Sequence, residues 1–403
     1  MEKIFIAFVA ALLLSCSHAQ EVTSTTPSPS QNTSTPAPPP PPPPAKVVCY
    51  YNKLSQNRSD ATKFNLTDLP KSLCTHVIYS FATLDPSSLS IQNGSLGSDL
   101  ESILALKQEG VKVILSLGGR GDSLESEKFS RMVNNGKIRT EFIRSTVRFL
   151  RDHHFQGLDI NWEYPVCWNG YCSKNRKHAD RNNFVNLLGE LHKGFVFYNL
   201  SLSVAVSPLQ SIADEAYDIA GIAHNVDWVN LMTFDYTNGT FVETAIHSPF
   251  KGPPPSTVDT VNHWLLKGAH PRKLVVGIPT FGRTFTLAKP EWNVPGKPAT
   301  KGAATGLNEA GIAAYFEICT EPDNYQREKD IGSYISKGDQ WVSLDDIKDV
   351  QLKAEYIKNS TLGGGMIWTL DTDDFSGTSC KQGKYPLIQA LRNGLGLENK
   401  AEA

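Results

Sequence analysis

The sequence has little of several features that would point to common classes of protein. It contains 39 Lys and Arg against 41 Asp and Glu in 403 residues, so the formal net charge is only −2. This balance provides no basic surface for nucleic acid, and we predict no nucleic-acid partner. After the N-terminus no apolar run approaches the ~18 residues of a membrane helix, so we predict no membrane span. No cysteine pair has the CxxC spacing beside a histidine pair, and we expect neither a metal ion nor another cofactor.

The N-terminus has the pattern of a secretory signal peptide. The first twenty residues contain a Lys near the start, an apolar stretch from Ile4 to Leu14, and small residues before a predicted cleavage after Ala19. An N-terminal anchor is one alternative, although the apolar stretch is short for that role. Lipoprotein processing at Cys16 is another, which the nearby leucine disfavours. We therefore expect a secreted, extracellular protein.

Residues 20–45 are rich in Thr, Ser and Pro and end in a run of prolines, Pro38–Pro44. Such a composition cannot build a hydrophobic core, so we predict a disordered, extended spacer that suits O-glycosylation. We favour a tail without a partner over a specific binding motif in this segment.

Cysteines and glycosylation sequons both fit an extracellular protein. An even number of cysteines in a secreted chain indicates disulfides, although sequence alone does not choose the pairing. The number of N-x-S/T sequons strengthens the prediction of a eukaryotic glycoprotein. The six cysteines after the signal are Cys49, Cys74, Cys167, Cys172, Cys319 and Cys380. The sequons lie at Asn32, Asn57, Asn65, Asn93, Asn199, Asn238 and Asn359.

From Lys46 onward, short β-branched runs alternate with amphipathic segments such as Lys137–His153 and Arg181–Phe195. Eight such runs over about 350 residues suit a closed barrel better than an open sheet. We therefore predict the α/β class and a (β/α)8 TIM barrel over residues 46–397. The runs are Val47–Tyr51, His76–Ala82, Lys112–Gly118, Gly157–Asn161, Leu202–Val206, Trp228–Phe234, Leu274–Thr280 and Gly365–Leu370.

The interval between the seventh and eighth runs is too long for a single helix. We predict that residues from about 284 to about 350 form a small α+β insertion domain between barrel strands 7 and 8. The segments with strand or helix character are Thr284–Thr286, Tyr315–Cys319, Gly332–Ile335 and Trp341–Ser343.

The fourth run carries the most informative motif. In the segment Phe155–Pro165, Asp159, Asn161 and Glu163 stand at every second position, so a strand would turn all three toward one face. Acidic side chains are depleted in strands, so this crowding indicates a site. Functional residues of a (β/α)8 barrel gather at the C-terminal strand ends. The segment resembles the D-G-x-D-x-D-x-E pattern of family 18 glycosidases, the chitinases, with Gln156 and Asn161 in place of two aspartates.

The resemblance implies substrate-assisted hydrolysis of β-1,4-linked N-acetylglucosamine chains. In that scheme the substrate's acetamido carbonyl attacks the anomeric carbon, and the enzyme supplies one acid. The resemblance assigns this acid to Glu163 and makes Asp159, Asn161 and Asp235 the other catalytic candidates. Asn161 replaces an aspartate that accepts a hydrogen bond from the acetamido N–H and opposes the developing positive charge. The amide keeps the acceptor and loses the charge, and without that carboxylate we also expect Glu163 to be less protonated at neutral pH.

The ends of three further runs resemble the family. At the end of the sixth run the family reads M-x-Y-D, and here Phe234 stands in place of the tyrosine before Asp235. At the end of the seventh run the family reads P-T-Y-G-R, and here Phe281 stands in place of the tyrosine two residues before Arg283. Two tyrosine hydroxyls are therefore missing. The first of these hydroxyls holds the acetamido carbonyl, and losing one oriented donor typically costs ~10²–10³ in rate. Trp368 closes the eighth run, where the family places the floor under the scissile sugar. The predicted substrate-binding residues are Tyr50, Trp162, Tyr164, Met232, Phe234, Phe281, Arg283 and Trp368.

The resemblance also concerns the cysteines and the rest of the cleft. It implies the disulfides Cys49–Cys74 and Cys319–Cys380, which leaves Cys167–Cys172 to close a short loop that resembles one in arthropod-type chitinases. Arg120 and Phe241 each replace a family tryptophan. Because sugar faces stack on aromatic rings, we expect these replacements to weaken the grip on long polymers more than on the central sugar.

Two functions fit these residues. One is an active endochitinase with Glu163 as the general acid. The other, which we favour, is a chitinase-like protein that binds chitin or chitooligosaccharides with weak or lost hydrolysis. Asn161, Phe234 and Phe281 favour the second because they replace groups that handle the acetamide. Transfer of the sugar to another sugar instead of water is a third possibility. We expect the protein to be a monomer.

Overall fold

A computed structural model describes residues 43–59, 62–172, 179–237, 241–307, 309–320 and 325–397. The predicted signal peptide, nearly all of the predicted spacer, and the sequons at Asn32 and Asn238 lie outside the described residues. The elements given below belong to the unit that begins at Pro44.

The described strands run in chain order from β1 to β14. They are β1 Lys46–Asn52, β2 His76–Ala82, β3 Lys112–Gly118, β4 Gly157–Asn161, β5 Ser201–Val206, β6 Trp228–Leu231, β7 Leu274–Pro279, β8 Phe281–Leu287, β9 Ala299–Lys301, β10 Ile312–Ala314, β11 Gln326–Glu328, β12 Gly332–Lys337, β13 Gln340–Leu344 and β14 Gly364–Trp368.

The described helices surround these strands. The α-helices are α1 Leu100–Ala105, α2 Gly119–Ser123, α3 Ser126–Asn134, α4 Gly136–Asp152, α5 Ala179–Tyr198, α6 Gln210–Ala216, α7 Ile219–Asn225, α8 Thr257–Leu266, α9 Tyr315–Ile318, α10 Ile347–Asn359 and α11 Pro386–Leu395. Short 3-10 helices span Lys53–Asn57, Leu66–Asp68, Asn93–Ser95, Leu106–Glu109, Trp168–Gly170, Pro271–Lys273 and Leu370–Thr372.

Eight parallel strands close into a barrel in the order β1-β14-β7-β6-β5-β4-β3-β2. Their apolar runs are buried on both faces: all five residues of β4 and all six of β7 are buried. Such continuous burial is expected where helices cover the outside of a parallel barrel and side chains fill its interior. The predicted (β/α)8 fold is therefore confirmed.

Capping residues set the bounds of the helices that cover the barrel. Asn135 accepts a hydrogen bond from the backbone N–H of Lys137 at 2.8 Å, and α4 begins between them at Gly136. At the start of α10, the backbone N–H of Asp349 donates to the carboxylate of Asp346 at 2.9 Å, and the backbone N–H of Asp346 donates to the carboxylate of Asp349 at 3.1 Å, in a reciprocal cap. These contacts satisfy amide groups that the helix itself leaves unpaired.

A second, antiparallel sheet lies between β7 and β14 in the sequence. Its strand order is β10-β8-β13-β12-β11. In addition, β9 pairs with residues 285–287 of β8, whereas β10 pairs with residues 281–283. Phe285, Tyr334 and Trp341 form its buried core. Together with α9, this sheet confirms the predicted α+β insertion between barrel strands 7 and 8. It begins at Phe281, only one residue after β7, so the sheet grows directly out of the barrel rim.

Three disulfides join neighbouring segments of the fold. Cys49–Cys74 ties β1 to the segment before β2, and Cys167–Cys172 closes the loop that follows β4. Cys319–Cys380 links the end of α9 to the segment after β14. Cys49–Cys74 and Cys319–Cys380 are the two pairs that the resemblance implied, and Cys167–Cys172 is the pair that it left. None of the helices in the described part of the chain is long and apolar enough to cross a membrane.

Candidate active site

A cleft of about 450 Å³ opens at the C-terminal ends of the barrel strands. Both the barrel and the second sheet contribute to its walls, since β8 and β9 rise beside the ends of β6 and β7. This location is the usual one for the functional site of a (β/α)8 barrel. The lining includes Arg120, Glu163, Tyr164, Met232, Phe234, Asp235, Phe281, Arg283, Lys301, Glu309 and Trp368.

Asp159 lies inside the barrel below this cleft and is fully buried. Its carboxylate accepts hydrogen bonds from the hydroxyls of Tyr50, Ser116 and Ser203 at 2.8, 2.7 and 2.7 Å, and from the amide of Asn230 at 3.2 Å. Burial raises the pKa of Asp159, while these four donors act in the opposite direction. Asp159 therefore joins β1, β3, β5 and β6, and it supports the site from beneath.

Asn161 is the last residue of β4, and its side chain is fully buried. In the sequence it lies between Asp159 and Glu163. Neither its Oδ1 nor its Nδ2 has a hydrogen-bond partner among the described residues. Gly118 at the end of β3 lies so close that an added Cβ would collide with the carbonyl oxygen of Asn161. A buried amide without partners is costly in a folded protein, so this group has unused hydrogen-bonding capacity, but Asn161 is not among the residues that line the cleft.

Glu163 follows β4 and lies half-buried in the cleft. Its backbone N–H donates to the hydroxyl of Ser123 at 3.0 Å, which fixes the strand end. Burial raises the pKa of Glu163 to about 7, against the opposing charge of Arg120 and with a smaller contribution from Asp235. Our expectation that Glu163 is less protonated than it would be beside a carboxylate at position 161 stays a prediction. Desolvation in the cleft supplies the shift that a neighbouring carboxylate would otherwise give.

The chain turns sharply after β6, three residues earlier than the predicted end of this run. The backbone N–H of Thr233 donates to Leu231 at 2.8 Å, and that of Phe234 donates to Met232 at 2.7 Å. Asp235 then takes a positive φ of 57°, a conformation that aspartate tolerates better than most residues. Because of this turn, both Phe234 and Asp235 line the cleft.

Asp235 is held by two cationic or basic side chains. Arg283 donates from Nε and Nη2 to its two carboxylate oxygens at 2.6 and 2.5 Å. Nδ1 of buried His247 lies 3.6 Å from Oδ1 of Asp235. Burial alone would raise the pKa of Asp235, but the contacts with Arg283 and His247 outweigh burial and hold this pKa well below its usual value. Asp235 is therefore ionised throughout the neutral range and leaves the acid role to Glu163.

Trp368 forms the aromatic floor of the cleft. Its ring lies 4.8 Å from that of Tyr50, 6.0 Å from that of Phe234 and 5.9 Å from that of Phe81, measured between centroids. Tyr50 is fully buried beneath Trp368, with its hydroxyl on Asp159. The prediction that Tyr50 contacts substrate is therefore corrected, because Tyr50 supports the floor from below.

Trp162 is also displaced from the predicted site. It lies on the outer side of the barrel, where its ring stacks on Phe129 and meets Phe184 edge-on, both at 5.7 Å. Alternation along the strand accounts for this, because the residue between Asn161 and Glu163 must face the opposite way. The structure thus corrects the prediction of substrate contact for Trp162. Tyr164, Met232 and the other predicted substrate-binding residues do line the cleft.

Several residues at the site were not predicted from the sequence. Lys301, Glu309 and Ile312 enter the cleft from the second sheet and the loop beside it. His247 supports Asp235 and lies against Phe281, with ring centroids 5.1 Å apart. None of these positions belongs to a run that ends at the barrel rim, so no local pattern marked them. Within the described residues, no group of three or more His, Cys, Asp or Glu could hold a metal ion.

The site as a whole offers one half-protonated acid in an aromatic cleft. Glu163 can deliver a proton to a leaving oxygen, and Trp368 and Phe234 present ring faces suited to a sugar. Asn161 provides an unpaired amide next to the acid in the strand. Of the cleft carboxyl groups, Asp235 is paired with Arg283 and Glu309 enters from the loop beside the second sheet, which leaves Glu163 as the acid at the barrel strand ends. One acid at this position suits chemistry in which the substrate provides its own nucleophile.

Comparison with known proteins agrees with this arrangement. A model of glycosyl hydrolases family 18 matches residues 46–373. The chain is 36% identical over 371 residues to probable chitinase 10 of Drosophila melanogaster, which covers 87% of this chain and 16% of that protein. The chain thus spans a small part of the length of that relative.

Solved structures show the same fold. Catalytic domain 2 of the group II chitinase from Ostrinia furnacalis, a mutant in complex with penta-N-acetylchitooctaose, gives a TM-score of 0.83 at 37% identity, covering 89% of this chain and 98% of that chain. Human YKL-39, described as a pseudo-chitinase with retained chitooligosaccharide binding, gives a TM-score of 0.77 at 34% identity, covering 87% and 100%. The insect relatives agree with the resemblance to arthropod-type chitinases. The chain belongs to glycosyl hydrolase family 18.

Proposed function

We propose that this protein binds β-1,4-linked N-acetylglucosamine oligosaccharides in the cleft and hydrolyses them slowly, with Glu163 as proton donor. The observation that carries the proposal is the state of Glu163. Burial raises the pKa of this cleft carboxyl group to about 7, which keeps a large protonated fraction at neutral pH. A donor with a pKa near the working pH is well suited to protonate a leaving group.

The groups around Glu163 explain why the proposed turnover is slow. In substrate-assisted hydrolysis the acetamido carbonyl must be held in place, and positive charge develops on the acetamide. Asn161 offers an uncharged amide for this purpose, and Phe234 offers a ring without a hydroxyl. Each loss costs rate, but the two residues serve one unit, so their costs do not multiply.

The relatives support oligosaccharide binding as the common element. The Ostrinia furnacalis chitinase domain was captured with penta-N-acetylchitooctaose, and human YKL-39 is a pseudo-chitinase with retained chitooligosaccharide binding. In the present chain Trp368 provides the stacking surface, and the unpaired amide of Asn161 provides a partner for an acetamide. Binding is therefore proposed with or without appreciable turnover.

A fully active endochitinase is the second candidate. The raised pKa of Glu163 favours it, because the proton donor is intact despite the replacement at position 161. The pairing of Asp235 with Arg283 also keeps a negative charge in the cleft near the site of reaction. The two candidates differ in rate and share the acid.

We further propose that the protein acts outside the cell as a monomer. The predicted signal peptide and sequons support secretion, and three disulfides are stable mainly in oxidising compartments.

The test of binding is a titration of tryptophan fluorescence with chitotetraose on the secreted full chain. The proposal expects saturable binding by the parent protein and by Glu163→Gln, which keeps the shape of the acid but cannot donate its proton. A parallel hydrolysis assay expects slow product release by the parent and none by Glu163→Gln. Absence of saturable binding in both proteins contradicts the proposed function.

A further inference from the structure

Arg120 introduces an unpaired positive charge into the cleft. It follows β3 in the short helix α2, and its exposed side chain lines the cleft beside Glu163 and Tyr164. Among the described residues it forms no side-chain hydrogen bond and no ion pair within 4 Å. A guanidinium group stays charged at every pH a protein tolerates. Its charge reaches the site, since it opposes the rise in the pKa of Glu163.

Lys301 adds a second cation from the second sheet. Its ammonium group lies 5.1 Å from the ring centroid of Phe241, and it forms no ion pair within 4 Å with any residue that the structure describes. Phe241 also lines the cleft, so Lys301 is held near the cleft rim by its contact with that ring. The lysine is exposed and available to a ligand.

The negative charges of the cleft neutralise these two cations only in part. Asp235 is already paired with Arg283 through two hydrogen bonds. Glu309 acts electrostatically on the same arginine. Glu163 is only partly ionised at neutral pH. Arg120 and Lys301 therefore outweigh Glu309 and the partly ionised Glu163, and the cleft keeps a small net positive charge, although the chain as a whole has a net charge of −2.

Two replacements relative to the family pattern shift charge in the same direction. Arg120 takes the place of a tryptophan and adds a positive charge, and Asn161 takes the place of an aspartate and removes a negative one. A neutral sugar loses a stacking partner at position 120 and gains only hydroxyl contacts. A sulfate or carboxylate instead gains charge-assisted, bidentate hydrogen bonds from the guanidinium group.

We propose that the cleft selects N-acetylhexosamine oligosaccharides that carry an anionic substituent, which Arg120 and Lys301 bind. The proposal rests on the proposed function, since it assumes that the same cleft holds the sugar chain. The anionic substituent is a sulfate ester or a carboxylate, and both present the acceptor oxygens that a guanidinium group recognises.

The experiment compares three probes with the same sugar backbone on the secreted full chain by calorimetry: chitotetraose, 6-O-sulfated chitotetraose and 6-O-carboxymethyl chitotetraose. The proposal expects at least one anionic probe to bind ~10-fold more tightly than chitotetraose in 50 mM NaCl. The preferred anionic probe identifies sulfate or carboxylate as the group recognised. The advantage should largely disappear in 500 mM NaCl because salt screens exposed charges.

Variants assign the effect to the two cations. Arg120→Met keeps length and loses charge, and it should reduce the preference for the anionic probe to less than ~3-fold. Lys301→Met should reduce it in part. Arg148→Met is the matched control, because Arg148 is an exposed arginine on α4 outside the cleft, and it should change no affinity.

The outcomes separate this inference from the proposed function. Equal affinities for all three probes, or a preference that persists in Arg120→Met, overturns the inference and leaves neutral oligosaccharide binding standing. Binding of an anionic probe without binding of chitotetraose supports the inference and refutes the neutral ligand of the proposed function. Absence of binding by any probe overturns both.

Discussion

The two carboxylate oxygens of Asp235 each accept a hydrogen bond from Arg283, at 2.6 and 2.5 Å. Asp235 follows a barrel strand, whereas Arg283 lies in β8 of the second sheet. The side chains are 30% and 13% exposed, so the pair is only partly screened by water. This contact joins the two structural parts that form the cleft, and its loss should reduce stability and distort the site together.

We expect Arg283→Met to lower the free energy of unfolding by about 2–3 kcal/mol, because two charge-assisted hydrogen bonds disappear and Asp235 keeps only His247. Urea denaturation at pH 7 measures the change. Arg144→Met is the control: Arg144 pairs with Glu141 on the exposed face of α4. That variant should lose less than about 0.5 kcal/mol. Equal losses in the two variants would contradict the role assigned to Asp235.

The Asp235–Arg283 pair also predicts how the free energy of unfolding depends on pH. The folded-state pKa of Asp235 lies below its ordinary value of 3.8, so the unfolded chain takes up the proton first as pH falls. The stability that Arg283 provides is thus complete above about pH 4 and declines at lower pH. We expect the difference between the parent and Arg283→Met to narrow between pH 4 and pH 2. A difference that stays constant over this range argues against a depressed pKa.

Glu163 predicts the pH dependence of any hydrolysis. Because the acid form is required and its pKa is about 7, kcat/KM should fall tenfold per pH unit above that value. Arg120 lowers this pKa, so Arg120→Met should move the falling limb to higher pH. Initial rates between pH 5 and 9 test both statements. If the falling limb of the pH–rate profile stays in place or moves to lower pH in Arg120→Met, then Arg120 does not lower the pKa of Glu163.

Asp159 is expected to act on stability more than on ligand contact. Asp159→Ala removes the acceptor of three buried hydroxyls, while the amide of Asn230 keeps its hydrogen bond to Tyr50, and should cost on the order of 3–5 kcal/mol of unfolding free energy. Asp159→Asn keeps acceptor capacity at one oxygen and should cost clearly less. Denaturant unfolding of both variants provides the measurement. If Ala and Asn substitutions destabilise equally, the hydrogen bonds to Asp159 do not have the importance assigned to them.

Two tryptophans provide a matched test of the cleft. Trp368→Ala removes the aromatic floor and should weaken chitotetraose binding by at least ~10-fold. Trp162→Phe replaces a buried indole outside the barrel by a smaller ring, and it should reduce stability while leaving affinity within ~2-fold. Titration by calorimetry, which does not depend on tryptophan signals, compares them. Comparable loss of affinity in both variants would refute the placement of Trp162.

The barrel could be predicted from the sequence because its strands are short, apolar and β-branched, and the runs at His76–Ala82, Lys112–Gly118 and Gly157–Asn161 match the strands. The sixth run did not match, since backbone hydrogen bonds after Leu231 turn the chain before Phe234. Apolar composition continues through this turn. Composition alone therefore overestimates the length of the strand.

The site could be predicted in part. The main error was the position of two side chains relative to the cleft. Motif similarity marked Tyr50 and Trp162 as substrate-binding, yet one lies beneath the floor and the other on the outer face. Strand alternation would have excluded Trp162, because Glu163 and Asn161 share the inward face. Lys301 and His247 depend on how the second sheet and the loop after β6 fold back on the barrel. Such long-range placement leaves no local signal in the sequence.

The central claim is that Glu163 is a competent acid in a site whose acetamide-handling groups have been weakened. Turnover of a fluorogenic chitotrioside tests it in four proteins: the parent, Asn161→Asp with Phe234→Tyr, and each of these with Glu163→Gln. We expect slow turnover by the parent, a kcat raised ~10²–10³-fold in the double variant, and no turnover with Glu163→Gln. A double variant no faster than the parent, or turnover that survives Glu163→Gln, would contradict it.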